Sequence, residues 1–430
     1  MNIADVIVTP VAGGFFHDDL AAIRRGAGRD GQHYPGPPVT PGLAAIRDPA
    51  RALAIGLCLD DGTVVWGDAA AVQYVAAGGR ELHAEEAGAQ VGTELRSALL
   101  GMPVKGFRSG LTRLLAAGAD SVALRYGLSQ AWLAAVAAAG RRTMCEVLCD
   151  EYDLALPTGP VPIYAQSGDD RHGGADKMIL KEVDALPHGL INSVEKFGPA
   201  GEALVGYVEW LVSRIARLGG PHYRPDLHLD LYGTAGLAFA GDLEAVADYL
   251  LRLERIAGPH RLLVESPVDL GGRQRQIDGL ARLCGILRHR GSGVVVVADE
   301  WCNTLEDIRA FVAAGAGHMF QVKMPDLGSV EDSLLAVLHC RRAGVGVMLG
   351  GSCAETEVSA RVSVHVALAS RPDVQLAKPG MGVDEGLMLA RNEQSRLLAV
   401  LARRRSVGAA GTAVPEGPTG RSTVERGAVR

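Results

Sequence analysis

From Val161 onward the chain repeats one texture: a short run of aliphatic and β-branched residues, then a stretch with helical periodicity. The runs are Val161–Ala165, Leu190–Val194, Leu227–Leu231, Arg261–Val264, Val294–Ala298, Met319–Val322, Gly346–Leu349 and Val374–Ala377. Helical patterns separate most of them, at Tyr207–Leu218, Leu243–Ile256, Gln274–Arg288, Leu305–Ala314, Ser329–Ala343 and Thr356–Ala369. Parallel strands need crossover connections, and helices supply them, so this alternation specifies βαβ units. Eight such units fit a closed (β/α)8 barrel of the TIM type better than an open doubly wound sheet.

The first part of the chain reads differently. Ile3–Val8 and Ala54–Leu59 cluster β-formers, and Asp60-Asp61-Gly62 before Thr63–Trp66 carries the DG signal of a hairpin. From about Arg80 to Glu151 the pattern is helical, most clearly in the alanine-rich Ser129–Ala139. Sheet first and helices second predicts an α+β capping domain over residues 1–160, with the barrel over 161–402. Residues 403–430 are rich in Gly, Ala, Pro, Arg and Ser without apolar periodicity, which predicts a disordered tail.

Composition narrows the partner. A chain that is 48% hydrophobic and 21% charged can bury a large core, and a net charge of −6 offers no basic field to nucleic acid or anionic lipid. A small molecule is the expected partner. No apolar stretch approaches the roughly 20 residues that span a bilayer, and Met1–Pro10 lacks the positive start of a secretory signal, so a cytoplasmic location is expected. The seven cysteines are scattered with no CxxC pair, as in a protein with reduced thiols, and Cys145 and Cys149 read as packing residues.

Acidic residues end three successive strand runs: Asp230 in His-Leu-Asp-Leu-Tyr-Gly, Glu265 in Leu-Val-Glu-Ser-Pro and Asp299 in Val-Ala-Asp-Glu. In a parallel barrel the ends of neighbouring strands converge on one face, where three carboxylates suit Mg²⁺ or Mn²⁺. The plainer alternative for each acid is a helix cap or a solvated loop residue. One unit later, Gln321 and Lys323 stand two apart and therefore point to the same side of their strand. A lysine beside a divalent cation has its pKa lowered and can act as a base; a Schiff-base lysine and a salt-bridge partner for Glu265 or Asp299 are the alternatives. His188, in Leu-Pro-His-Gly just before the second run, reads on its own as a loop or core histidine. Gln166 closes the first run, and Ser352-Cys353 follow a double glycine whose backbone N–H groups could meet a carboxylate. The GxGxxG match at Gly26–Gly31 follows a helical stretch and opens no helix, so it is not a dinucleotide loop. Its glycine content leaves it open as a lid over the barrel.

Several strings together resemble the methylaspartate ammonia-lyase branch of the enolase superfamily. They are Arg25–Gly31, Ala71–Tyr74, Gln166–Arg171, Asp176–Lys181, Asp299–Thr304 and Ala377–Gly386, and the resemblance runs from about Ile3 to Val400. It implies an enolase-like fold with Asp230, Glu265 and Asp299 as Mg²⁺ ligands, Lys323 as the base on one face of the substrate carbon and His188 as its partner on the other. Gln73, Gln166, Gln321, Ser352 and Cys353 become substrate contacts. The reaction implied is elimination of ammonia from 3-methylaspartate to mesaconate, in glutamate fermentation, by a homodimer that a monovalent cation such as K⁺ activates. Ser352 stands where the family has Thr, Met348 where it has an aromatic residue, and Ala354 where it has Asn. The hydroxyl survives at 352, while the change at 348 reshapes the pocket beside the alkyl or amine group. The same half-reaction also serves an epimerase, racemase or cycloisomerase of the superfamily, and a barrel without catalysis is the reading from another class. That last one predicts that some of the three acids or Lys323 are missing, and all are present.

Overall fold

The structure, a computed structural model, describes residues 1–41, 43–70, 84–117, 121–379 and 382–412. For residues 24, 84–90 and 407–412 it describes the backbone alone. Strands β1 (Ile3–Asp18), β2 (Arg47–Leu59) and β3 (Val64–Ala69) form an antiparallel sheet in that order. The DG turn joins β2 to β3, with Gly62 at φ 87° and the Thr63 amide donating to Asp61 Oδ1 over 2.9 Å.

The first strand is much longer than Ile3–Val8. After a register shift between Ala12 and Phe16 it continues to Asp18, and the glycines Gly13 and Gly14 let it pass directly over the barrel. A Cβ at Gly13 would lie 2.4 Å from the Ala354 carbonyl oxygen, and one at Gly14 would lie 2.1 Å from Pro379 Cβ. Helices Ala84–Leu99, Phe107–Ala117, Val122–Ala139 and Met144–Glu151 follow the sheet. The alanine-rich Val122–Ala139 starts on a Ser121 cap, buries Tyr126 and Trp132, and presses its backbone on β3: a Cβ at Gly67 would meet the Gly127 carbonyl oxygen at 2.2 Å.

The barrel closes. Its strands are β4 (Ile163–Tyr164), β5 (Ala185–Leu190), β6 (Asp226–Asp230), β7 (Leu262–Glu265), β8 (Val295–Ala298), β9 (Met319–Lys323), β10 (Gly346–Gly350) and β11 (Val374–Leu376). They are parallel in the order β10-β11-β4-β5-β6-β7-β8-β9, a complete ring. Seven of the expected runs coincide with these strands, and the second is displaced: β5 ends at Leu190, and Val194–Phe197 is a helical turn. Pro187 and Gly189 give Leu186–Leu190 the look of a turn, but the pairing of β5 with β6 absorbs them through a register irregularity between those two residues. His188 therefore lies inside the strand, at φ 41°, and not before it.

Helix Val383–Thr412 runs past residue 403, where a disordered tail was expected to begin. Its apolar face continues through the buried Leu397 and Leu401. Beyond them the Arg404 guanidinium pairs with Glu146 and donates to the Arg141 carbonyl over 3.2 Å. Arg405 donates to the Pro157 carbonyl over 3.1 Å. Arginine and alanine favour helix, so a segment without apolar periodicity still extends one that is anchored upstream. Residues 413–430 lie outside the described residues.

Candidate active site

The carboxyl ends of the barrel strands meet at one mouth. Asp230 and Glu265 are the last residues of β6 and β7 and stand directly opposite in register; Asp299 follows β8, and Lys323 ends β9. Across the ring, Tyr164 ends β4 and His188 lies in β5. A cavity opens between them, lined by Asp230, Glu265, Lys323, His188, Gln166 and Gln321 among others. Ser352 and Cys353, after β10, line it as well, and Phe15, Asp18 and Tyr34 from the first part of the chain roof it. The Arg47 guanidinium fixes that roof by pairing with Asp18 at 2.6 Å and, across to the barrel, with Asp169 at 2.8 Å.

Lys323 Nζ donates to Asp299 Oδ2 over 2.7 Å. Burial works against the charge of this lysine, but Asp299, Glu300, Asp326 and Glu265 outweigh it and push the amine well above the ordinary lysine value. The lowering expected of a base therefore requires positive charge on those acids. The acids themselves are crowded. Burial pushes the Asp230 carboxyl well up, with the charges of Glu265 and Asp299 adding to it, and burial pushes Asp299 up to about 6 against the pull of Lys323. Buried, oxygen-only and mutually repelling, Asp230, Glu265 and Asp299 fit a hard divalent cation such as Mg²⁺.

Glu265 differs from its neighbours. Burial works against its charge, but the rings of His188 and His228 prevail and hold the carboxyl well below its usual range. His228 Nε2 lies 2.7 Å and His188 Nε2 3.3 Å from Glu265 Oε2, and Gln321 Nε2 donates to the same oxygen over 3.2 Å. Among the described residues, His188, His228 and Glu265 are the group whose ligand atoms all lie within 4.8 Å of one another. The structure thus gathers the histidines on Glu265, while Asp299 meets both Lys323 and Glu265.

His228, Tyr164 and Glu355 escaped the sequence reading. His228 is two residues before Asp230 and so on the same side of β6; burial, and then the neighbouring His188, pull its ring down to about 4, which keeps it neutral. That two-residue spacing was the available signal. Glu355 is fully buried and accepts from the Ser352 amide (2.7 Å), the Tyr126 hydroxyl (2.7 Å) and Lys378 Nζ (3.1 Å). The Ser352 N–H, directly after the double glycine, is therefore engaged inside the protein. Burial pushes the Cys353 thiol up to about 12, so it stays protonated. Met348 is fully buried beside Tyr164 and Leu376 and is not among the residues lining the cavity; the aromatic wall there is Tyr164. Gln73 lies outside the described residues.

The models "Methylaspartate ammonia-lyase N-terminus" and "Methylaspartate ammonia-lyase C-terminus" match residues 1–153 and 155–403. The chain is 48% identical over 412 residues to methylaspartate ammonia-lyase 2 of Carboxydothermus hydrogenoformans, covering 94% of this chain and 99% of that one. The Citrobacter amalonaticus methylaspartate ammonia lyase, solved with (2S,3S)-3-methylaspartic acid, superposes with a TM-score of 0.90 at 44% identity, over 94% of this chain and 100% of that one. The Clostridium tetanomorphum enzyme, solved as its Mg complex, gives 0.86 at 43% identity with the same coverage. A muconate lactonizing enzyme from Pseudomonas putida, at 15% identity and a TM-score of 0.58 over 86% of this chain and 85% of that one, shares the fold. With both halves matched and nearly the full length aligned, the chain belongs to the methylaspartate ammonia-lyase family, an enolase-like group of carbon–nitrogen lyases.

Proposed function

We propose that this carbon–nitrogen lyase, in eliminating ammonia from 3-methylaspartate to give mesaconate, uses Lys323 to take the proton from C3. The observation that carries the reading is the opposition of Lys323 and His188. They stand on β9 and β5, diametrically across the ring, and line one cavity. A planar carbon between them meets a nitrogen base on each face. Gln166, Gln321, Ser352 and Cys353 hold the two carboxylates, together with Gln73.

The hydrogen on C3 is weakly acidic, because the electron pair it leaves must spread into a carboxylate that already carries a charge. Asp230, Glu265 and Asp299 would hold Mg²⁺. When bound, the ion supplies the positive charge that stabilises that carboxylate and offsets the acidic field now keeping Lys323 protonated. Lys323 then accepts the C3 proton, the C3–H electron pair forms the double bond, and the C–N pair leaves with the amine. His188 delivers or removes a proton on the opposite face. The roof formed by Phe15 and Tyr34 keeps water from the carbanionic carbon. The resemblance supports a homodimer and K⁺ as activator.

Replacing Lys323 with Ala lowers mesaconate formation from the (2S,3S) substrate about a thousandfold, followed as ultraviolet absorbance of the unsaturated diacid with Mg²⁺ and K⁺ present. Activity within tenfold of the parent would remove Lys323 from the role of base.

A further inference from the structure

Gln321 reaches the cavity from the middle of β9, and a primary amide there has two faces, a carbonyl that accepts and an NH₂ that donates. Only the donating face suits a carboxylate. Which face the cavity meets is decided by what holds the other, and here two groups do so. Glu265 Oε2, an acceptor, takes one N–H over 3.2 Å, and the Tyr164 hydroxyl donates to Gln321 Oε1 over 3.0 Å. Turning the amide over would set its oxygen against the Glu265 carboxylate and its NH₂ against a hydroxyl proton.

The space around this contact is shaped for it. Tyr164 is buried, with its ring flanked by His188 (5.5 Å between centroids) and His228 (5.4 Å), and with Met348 and Leu376 in the same apolar cluster. Above it, Gly350 closes β10. A Cβ at Gly350 would lie 2.3 Å from Gln321 Oε1 and 3.0 Å from the Tyr164 hydroxyl, so the amide oxygen and the phenol occupy the volume a side chain would need. Among the described residues of that apolar cluster, Tyr164 is the one phenol, and Met348 adds no hydroxyl to it.

We infer that Tyr164 is a positioning residue: its hydroxyl clamps the Gln321 amide so that the remaining N–H faces the substrate, selecting a carboxylate at that point. The inference rests on Gln321 being a substrate contact. Tyr164→Phe keeps the ring and the packing and removes only the clamp. The expected result is a rise of about fivefold in KM for 3-methylaspartate and in the mesaconate Kd measured by calorimetry, with a smaller change in kcat and an unchanged melting temperature. The same substitution made on Gln321→Ala has no further effect, because nothing remains to clamp. Gly350→Ala, whose Cβ crowds the amide oxygen most and the phenol hydroxyl next, raises KM in the same way. An unchanged KM and Kd in Tyr164→Phe, or an equal loss with and without Gln321, overturns the inference while the lyase reading stands. A parent enzyme that neither turns over 3-methylaspartate nor binds mesaconate removes the reading and the inference together.

Discussion

Asp68, in β3, illustrates at the scale of one residue how the two parts of the chain are joined at a cost. Its Oδ2 accepts from the Thr356 hydroxyl over 2.5 Å, fixing the start of helix Glu357–Ser370, while Oδ1 is buried without a partner among the described residues. Burial pushes the carboxyl up to about 6 from an ordinary 3.8. An acid raised in the folded state binds a proton that the unfolded chain has already lost, so stability falls as pH rises from about 4 through 6 and stays reduced above. Asp68→Asn removes that penalty: the variant is more stable than the parent at pH 8, by up to about 3 kcal/mol, and the advantage shrinks toward pH 4. Thermal melts at the two pH values read this directly; an advantage independent of pH would show that the charge is not its origin. Single residues were also where the sequence was most uneven as a guide. Asp230, Glu265, Asp299 and Lys323 stand out because a charge directly after an apolar run has few explanations. His228 and Tyr164 sit within such runs, where an aromatic or imidazole ring reads as core, and Glu355 gains its meaning from partners more than two hundred residues away in Tyr126 and close by in Ser352 and Lys378.

Among elements, the last helix separates packing from surface charge. Leu401 is buried against the hydrophobic core, whereas Arg404 pairs with Glu146 with 44% of its side chain exposed. Leu401→Ala is expected to cost about 2–4 kcal/mol, and Arg404→Ala at most about 1 kcal/mol, as the shift of the urea midpoint at constant slope. Equal losses would mean that the polar anchors, and not the apolar face, hold the helix on. The same element shows why boundaries were less legible than elements. A helix is nucleated where it packs and then propagates through whatever tolerates it, so its end is set upstream of the residues that form it. Strand β5 was displaced for the converse reason: Pro187 and Gly189 carry a local turn signal that the neighbouring strand overrides. The other seven barrel strands were readable because buried parallel strands are nearly continuous apolar runs.

For the molecule as a whole, one contiguous core runs from Ile3 and Leu53 in the antiparallel sheet through Trp132 and Cys145 to the barrel residues Val264, Val322 and Leu349. With no apolar gap between cap and barrel, the two are expected to unfold together. Variants retaining only Trp132, in the cap, or only Trp210, on a barrel helix, should report the same urea midpoint by fluorescence. Midpoints separated by about 1 M or more would make them independent units. The alternation of runs and helices announced the barrel, and the early hairpin announced the cap. How one is seated on the other was not legible, because it depends on Gly13, Gly14 and Arg47, none of which carries a periodic signal. That seating also sets an order in time. The strand that roofs the cavity leaves the ribosome more than three hundred residues ahead of the loop it rests on, at Ala354 and Glu355, so the pocket is completed only once that loop has followed.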